Sequence, residues 1–572
     1  MRHRSLQSDR CEMRQTRTVI GAAPFAVAAS VFCMAPAAAT TCGDLVNLAL
    51  PKTTITLAQT YTAGQTVSGS TTAPVDLCRV AGTIKPGPQS NVHFEVWIPT
   101  DGSWNGKYQQ VGNGGFAGAI SASAIANAVS RGYAAAGTDD GTSGSPPDVP
   151  RGAPAFIGNT DVLLDYGYRA VKATADDSKA VVEALTGQAP SHSYFVGCSD
   201  GGREALKEAQ NYPDDFDGII VGSPVNDQVG EFGASYLYDM QATLGGPQTN
   251  GVPDAYIPPA KLPILSNAAL SMCVGRDGGV ASDAFLSDPR QCRFDPGVVQ
   301  CERGQDPNTC LTPAQVEAAR KIYQGPHDHG ILLFPGYEPG GEAATGDWQS
   351  WITGSSPASP GSQYGLGLGF ACSLVQGVQT CDYLAVDVVQ QDEWARQHLQ
   401  PILSSVNPDL SKFRVHGGKM IQYAGWADTA IAPQNGLNYY EAVTHRIGDP
   451  HDFYRVFMVP GMAHCSGGAG PNAFGNGTSN GSAIDADHDL VKALERWVEN
   501  GVAPDRIVAT HYVNNDAKQG VQFERPLCPF PQRAEYAGSG DPDDASSFAC
   551  VEHHDPFDPR NIGPQRAYKP GK

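Results

Sequence analysis

Positive charge is scarce in this chain: its 572 residues include 39 Lys and Arg against 59 Asp and Glu, a formal net charge of −20. A surface this acidic repels phosphate backbones and anionic lipid headgroups, which argues against nucleic-acid binding and stable membrane association. Long apolar runs are also missing, apart from one at the N-terminus. There Arg14 and Arg17 precede an apolar stretch from Val19 to Met34, and the small residues Ala37, Ala38 and Ala39 follow. A basic start, a short apolar run and a small-residue exit predict a secretory signal peptide over residues 1–39, hence a secreted or periplasmic protein. That leader carries five arginines against Asp9 and Glu12, so its removal takes the charge from −20 to −23. Close cysteine pairs of the C-x₂-C kind are absent too, which excludes the usual zinc sites. Two of the fourteen cysteines, Cys11 and Cys33, fall within the leader. The other twelve, an even number in an exported chain, predict a disulfide framework.

What is present alternates between strand and helix. Val92–Ile98 reads as a half-buried strand, and Lys107–Val111 as a second that runs into the glycine loop Gly112–Gly115. A helix is expected over Asp161–Leu185 with a stop at Gly187, then a strand at Ser193–Val196, a helix at Arg203–Tyr212 and a strand at Asp217–Val221. From about 225 to 410 the rhythm breaks into Gly, Pro, Ser and aromatic residues. It resumes with strands at Lys419–Tyr423 and Tyr454–Val459 and an amphipathic helix carrying Leu490, Leu494 and Trp497. Such alternation predicts an α/β fold with a mostly parallel sheet covered on both faces. The expected organisation is a catalytic domain in two parts, residues 40–224 and 411–572, with a lid domain inserted at 225–410.

Gly197-Cys198-Ser199-Asp200-Gly201 fits G-x-S-x-G, in which a sharp strand-to-helix turn lifts a serine hydroxyl above the sheet. With 65 glycines in the chain the pattern alone is weak, and Gly477-Thr478-Ser479-Asn480-Gly481 matches it as well. Only Ser199 follows an apolar strand and precedes a helix, so Ser479 is set aside as a loop residue. Serine needs a neighbouring base, and in this pattern the order along the chain is Ser, acid, His, each on a loop after a strand. Asp428 follows the strand at 419–423, and His464 follows that at 454–459. Asp449 and Asp452, in a polar stretch before the last strand, are the lesser candidates for the acid. Cys198 directly precedes Ser199 and Cys465 directly follows His464, so a bridge between them would hold nucleophile and base within reach. The N–H of Asp200 and the glycine loop are the candidate donors to an oxyanion.

Gly197–Arg203, Tyr423–Asp428 (YAGWAD), Val459–Cys465 (VPGMAHC) and Pro526–Pro531 (PLCPFP) together resemble the tannase and feruloyl esterase family, which also holds mono(2-hydroxyethyl) terephthalate hydrolase. The resemblance implies an α/β-hydrolase core with a large lid, a Ser199–His464–Asp428 triad, and hydrolysis of small esters of aromatic acids. It places the second oxyanion donor on Gly115. It implies the pairs Cys42–Cys78, Cys198–Cys465, Cys273–Cys292, Cys301–Cys310 and Cys528–Cys550, leaving Cys372 with Cys381. A structural calcium in the lid is implied too, with Asp277 and Asp283 as candidate ligands, although Val274 stands where a first Asp is expected. The lid stretch Gly365–Phe370 lacks an Arg of the kind that would hold a free carboxylate. That favours neutral phenolic esters such as ferulate, gallate or chlorogenate over a terephthalate monoester. A secreted serine peptidase would use the same three residues. The lid aromatics Trp348, Trp351 and Phe370 are candidates to stack on an acyl ring or to form lid core.

Overall fold

The computed structural model describes residues 40–143, 153–344, 346–477 and 481–552. The expected signal peptide and Ser479 lie outside them. A nine-stranded sheet forms the centre. We label its strands β1 (Thr53–Tyr61), β2 (Leu77–Ile84), β3 (Val92–Pro99), β4 (Tyr108–Val111), β5 (Ala134–Thr138), β6 (Ser193–Cys198), β7 (Gly218–Gly222), β8 (Lys419–Gly425) and β9 (Tyr454–Val459). Their spatial order is β1-β2-β3-β5-β4-β6-β7-β8-β9. The first three strands and β5 pair antiparallel. From β5 to β9 every pairing is parallel.

Helices cover both faces, as a sheet of buried strands requires. On one face lie α1 (Ala122–Ser130) and α5 (Leu490–Asn500), whose Ile125, Val129, Leu490, Leu494 and Trp497 pack on Tyr194, Ile220 and Ile421. On the other lie α2 (Ala170–Thr186), α3 (Asp200–Asn211) and α4 (Pro433–Ile447), which bury Val171, Val181, Leu206 and Leu437 against Phe195 and Val221. Gly187 closes α2 in the left-handed conformation, as expected, and Gly501 closes α5 in the same way, while Asp489 caps α5 by accepting from the Lys492 N–H.

Between β7 and β8 the described chain adds no strand to the main sheet. It builds helices, including Leu262–Cys273 and Pro313–Gln324 around a core containing Leu265, Val316, Ile322, Phe334 and Trp348, and Val388–His398, whose Ala395 packs in a separate cluster with Phe232 and Phe370. The sequence reading did not mark α1, α4 or β5, and the helix expected over Asp161–Leu185 is interrupted by a wider turn at Asp165–Arg169. Ala134–Thr138 is a fully buried strand despite its three alanines, because central parallel strands are selected for fit between neighbours more than for β-branching. The helix expected at Arg203 starts at Asp200, immediately after Ser199.

Leu494 is fully buried, and its Cδ2 fills the space that a Cβ on Gly218 of β7 would occupy. Leu494→Ala is expected to destabilise the fold by about 3 kcal/mol, measured as a lowered denaturation midpoint against unchanged secondary structure.

Candidate active site

Parallel pairing brings the candidate residues to one edge. Cys198 of β6 pairs with Gly222 of β7, Tyr423 of β8 with the same Gly222, and Gly425 of β8 with Val459 of β9. The chain leaves all these strands on the same side, so the loops carrying Ser199, Asp428 and His464 emerge together. Ser199 itself sits at φ 65° and ψ −121°, a conformation that costs a non-glycine residue about 1–3 kcal/mol. Its backbone is held on every side. The Ser199 N–H donates to Gly222 O at 3.0 Å, and its carbonyl accepts from the N–H groups of Gly202, Arg203 and Val225 at 3.1–3.2 Å. Only glycine fits at 197, since a Cβ there would lie 2.3 Å from Gly201 O. Gly112 likewise lets the glycine loop lie against α3, where a Cβ would fall 2.6 Å from the Gly201 Cα. The Gly201 N–H then donates to Asn113 O at 2.8 Å. Asp200 takes the first position of α3, where the backbone N–H has no acceptor within the helix. Gly115 stands opposite with φ 61°, its carbonyl accepting from the Tyr166 hydroxyl at 2.9 Å.

His464 Nδ1 and Asp428 Oδ2 are 2.9 Å apart, with the Asp428 side chain wholly buried and that of His464 12% exposed. The other Asp428 oxygen accepts from the N–H groups of Ala430 and Ile431, both at 2.9 Å. The insertion supports this loop from above. Tyr236 donates its hydroxyl to Ala430 O, Gln363 its amide to Thr429 O, and Glu231 accepts from the Ala432 N–H. Burial pushes the Glu231 carboxyl well above the usual range, with the nearby Asp428 charge adding to it. Asp449 and Asp452 lie apart, bound to His451 and Arg414.

Cys198 and Cys465 form a disulfide with Cα atoms 6.0 Å apart. Ser199, His464, the glycine loop and both cysteines line one open cavity of about 830 Å³. Of the three lid aromatics, Trp351 reaches it, with its ring edge-on to His464 at 5.0 Å. Trp348 and Phe370 are fully buried among Tyr323 and Phe232, as packing residues of the insertion. Beneath the elbow Arg203 is fully buried. It pairs with Asp200 at 2.5 Å, lies over the Tyr166 ring at 4.5 Å and donates to the carbonyls of Tyr166, Gly167 and Leu403. The sequence reading missed Glu204, which accepts from both the backbone N–H and the side-chain amide of Asn113. Its place one turn after Asp200 on α3 was the available signal.

The family model described as tannase and feruloyl esterase matches residues 78–551. The chain belongs to that family. An uncharacterised esterase of Xanthomonas campestris pv. campestris is 39% identical over 90% of this chain and 92% of its own length. A probable feruloyl esterase B-2 of Aspergillus terreus is 29% identical over 87% and 90%. Among solved structures, feruloyl esterase B from Aspergillus oryzae superposes with a TM-score of 0.79 at 27% identity, covering 89% of this chain and 99% of that one. The architecture is that of an α/β-hydrolase.

Asp277 and Asp283, the expected calcium ligands, both face protein donors. Asp283 is ion-paired with Arg525 at 2.8 Å and accepts from the Val280 N–H. Asp277 accepts from the N–H groups of Ser287 and Gly279. Calcium needs six to eight free oxygen ligands, and these carboxylates already face N–H donors and a guanidinium. Arg525 thereby binds the loop between the bridged Cys273 and Cys292. The remaining bridges are Cys42–Cys78, Cys301–Cys310, Cys372–Cys381 and Cys528–Cys550.

Two outcomes follow. A chelator is expected to leave the thermal midpoint unchanged, whereas Arg525→Ala lowers it; calorimetry with and without chelator checks both. Replacing Cys198 and Cys465 together by serine opens a bridge spanning 267 residues, against 9 for Cys301–Cys310. Chain entropy sets these losses at about 5.5 and about 2.5 kcal/mol, so the first pair should lower the denaturation midpoint roughly twice as far.

Proposed function

We propose that this chain is an exported serine esterase that hydrolyses uncharged esters of aromatic acids, with Ser199 as nucleophile, His464 as base and Asp428 as its orienting acid. The observation that carries the reading is the 2.9 Å His464–Asp428 contact in a loop bridged to the residue before Ser199, over a shared cavity. Family membership supports ester hydrolysis as the reaction class.

The steps are those the geometry allows. The Ser199 hydroxyl adds to the ester carbonyl carbon while His464 Nε2 takes its proton. Asp428 stabilises the resulting imidazolium. The N–H groups of Asp200 and Gly115 receive the oxyanion, each donor contributing about 3 kcal/mol to the barrier. Collapse expels the alcohol, which carries away the proton from His464. Water then adds to the acyl-enzyme, giving its proton to the same imidazole, and the acid leaves as the Ser199 hydroxyl is restored.

The preference for uncharged substrates is supported by the cavity wall. Among the described residues lining it there is no Asp, Glu, Lys or Arg; its polar groups are those of Ser, Thr, Asn, Gln and Tyr beside His464. A free carboxylate would find no cation there to offset its desolvation. Trp351 offers an aromatic face at the base. Export is supported by six disulfides, which persist in oxidising compartments. No helix of the described residues is long and apolar enough to cross a membrane.

Ser199→Ala is expected to lower kcat for methyl ferulate or methyl gallate by at least about ten-thousand-fold with the protein still folded, and to abolish labelling by a fluorophosphonate. Undiminished turnover would remove Ser199 from the mechanism. In a panel of ferulate, gallate, chlorogenate and terephthalate monoesters, kcat/KM for methyl ferulate or methyl gallate should exceed that for the terephthalate monoester. The opposite order, or cleavage of peptides in preference to esters, would overturn the substrate class.

A further inference from the structure

Three acids meet beneath the glycine loop. Asp140, Asp200 and Glu204 are buried, and one carboxylate oxygen from each lies within 4.8 Å of the other two. Two of them are satisfied. Asp200 receives the Arg203 guanidinium and the Tyr166 hydroxyl, and Glu204 receives Asn113 through two N–H donors. Asp140 differs: it is 0% exposed, and among the described residues neither of its oxygens has a donor. Its position is set by the backbone, with φ 54° and its N–H on Thr138 Oγ1. The charges facing it come from α3, namely Glu204, Asp200 and Arg203. On its own loop Asp139 is occupied by His93, and on the helix packed beside Gly141, Asp165 is paired with Arg169.

A buried carboxylate with no donor, set against a second carboxylate, cannot remain ionised. A cation is a poor alternative, because the Asp200 oxygens already hold a guanidinium and those of Glu204 hold N–H groups. We propose that Asp140 and Glu204 share a single proton, and that this pair is the positioning element for the glycine loop: the Asp140 hydroxyl locks Glu204, and Glu204 locks Asn113 beside Gly115. The assignment of catalytic work to that loop rests on the esterase reading above; the shared proton does not. Burial and the Glu204 charge push the Asp140 carboxyl well above its usual range. The folded protein therefore keeps a proton that the unfolded chain has released, and this site's contribution to stability is lost as pH rises.

The test compares Asp140→Asn, whose amide can still donate to Glu204, with Asp140→Ala, which cannot. The infrared difference spectrum of wild type minus Asp140→Asn at neutral pH should contain the carbonyl stretch of a protonated carboxyl. Asp140→Asn should hold kcat within about threefold of wild type, while Asp140→Ala loses on the order of thirtyfold with KM little changed. Asp140→Asn should also resist alkaline unfolding better than wild type. A difference spectrum with carboxylate bands only, or one equivalent of divalent metal that wild type holds and Asp140→Asn loses, would overturn the shared proton. Equal damage in both variants would overturn the positioning role. The spectrum reports on the proton whatever the protein hydrolyses, so its outcome is separate from that of Ser199→Ala.

Discussion

The covalent tie between Cys198 and Cys465 is the constraint around which the candidate site is organised. It joins β6 to the loop after β9 across 267 residues of chain and holds the two Cα atoms 6.0 Å apart. Each partner adjoins a candidate residue, and on each side of the bridge one residue holds a demanding backbone position. Ser199 has φ 65° and Cys465 has φ 61°. Strained conformations of this kind persist only where surroundings over-determine them. Here the surroundings are the bridge itself, four hydrogen bonds on the Ser199 backbone, and the Asn476 amide on Cys465 O. A parallel sheet alone would bring the loops to one edge; the bridge fixes two of them against each other.

Beneath that tie the first turn of α3 carries an unusual density of buried charge. Arg203, Asp200 and Glu204 are all enclosed, and each holds a different part of the site. Arg203 reaches the Leu403 carbonyl at the end of the insertion, Asp200 reaches Tyr166 and through it Gly115, and Glu204 reaches Asn113. Buried ion pairs contribute little net stability because desolvation offsets attraction. Their value here is geometric: each has lone pairs or N–H groups in fixed directions, so the elbow, the glycine loop and the insertion share one frame.

Much of this was legible in the sequence because the decisive signals are local. Gly197 and Gly201 around Ser199, the strand before each candidate residue, and the two flanking cysteines are all read from short windows. The β6 to β9 strands sit within two residues of their expected limits for the same reason. What was not legible depends on partners far away in the chain. Ala134–Thr138 carries no β signal because its identity as a strand comes from β3 and β4 on either side. Asp140 and Glu204 are unremarkable residues in sequence; only folding places them together without a donor for one of them. The lid aromatics were undecidable for a related reason. No local pattern around Trp348, Trp351 or Phe370 marks which one faces the cavity, and only the direction in which the insertion folds sends Trp351 towards His464.

The scarcity of positive charge takes on a structural meaning at this point. Several of the few cations are interior: Arg203 under the elbow, Arg396 between Asp227 and Asp392, Arg525 on Asp283, and Lys207 on the Pro401 and Ser404 carbonyls. Burial and the neighbouring Arg203 bring the Lys207 ammonium down to about 7. Arg203 and Lys207 pin the end of the insertion to α3, Arg396 braces the insertion internally and Arg525 ties a C-terminal strand to it, and none lines the cavity over Ser199. A basic residue moved into that wall would attract carboxylates, including the product acid that ester hydrolysis releases. On the proposed reading, a neutral wall leaves the ionised product acid with no counter-charge to hold it, so an arrangement suited to an uncharged ester would also favour release of its charged product.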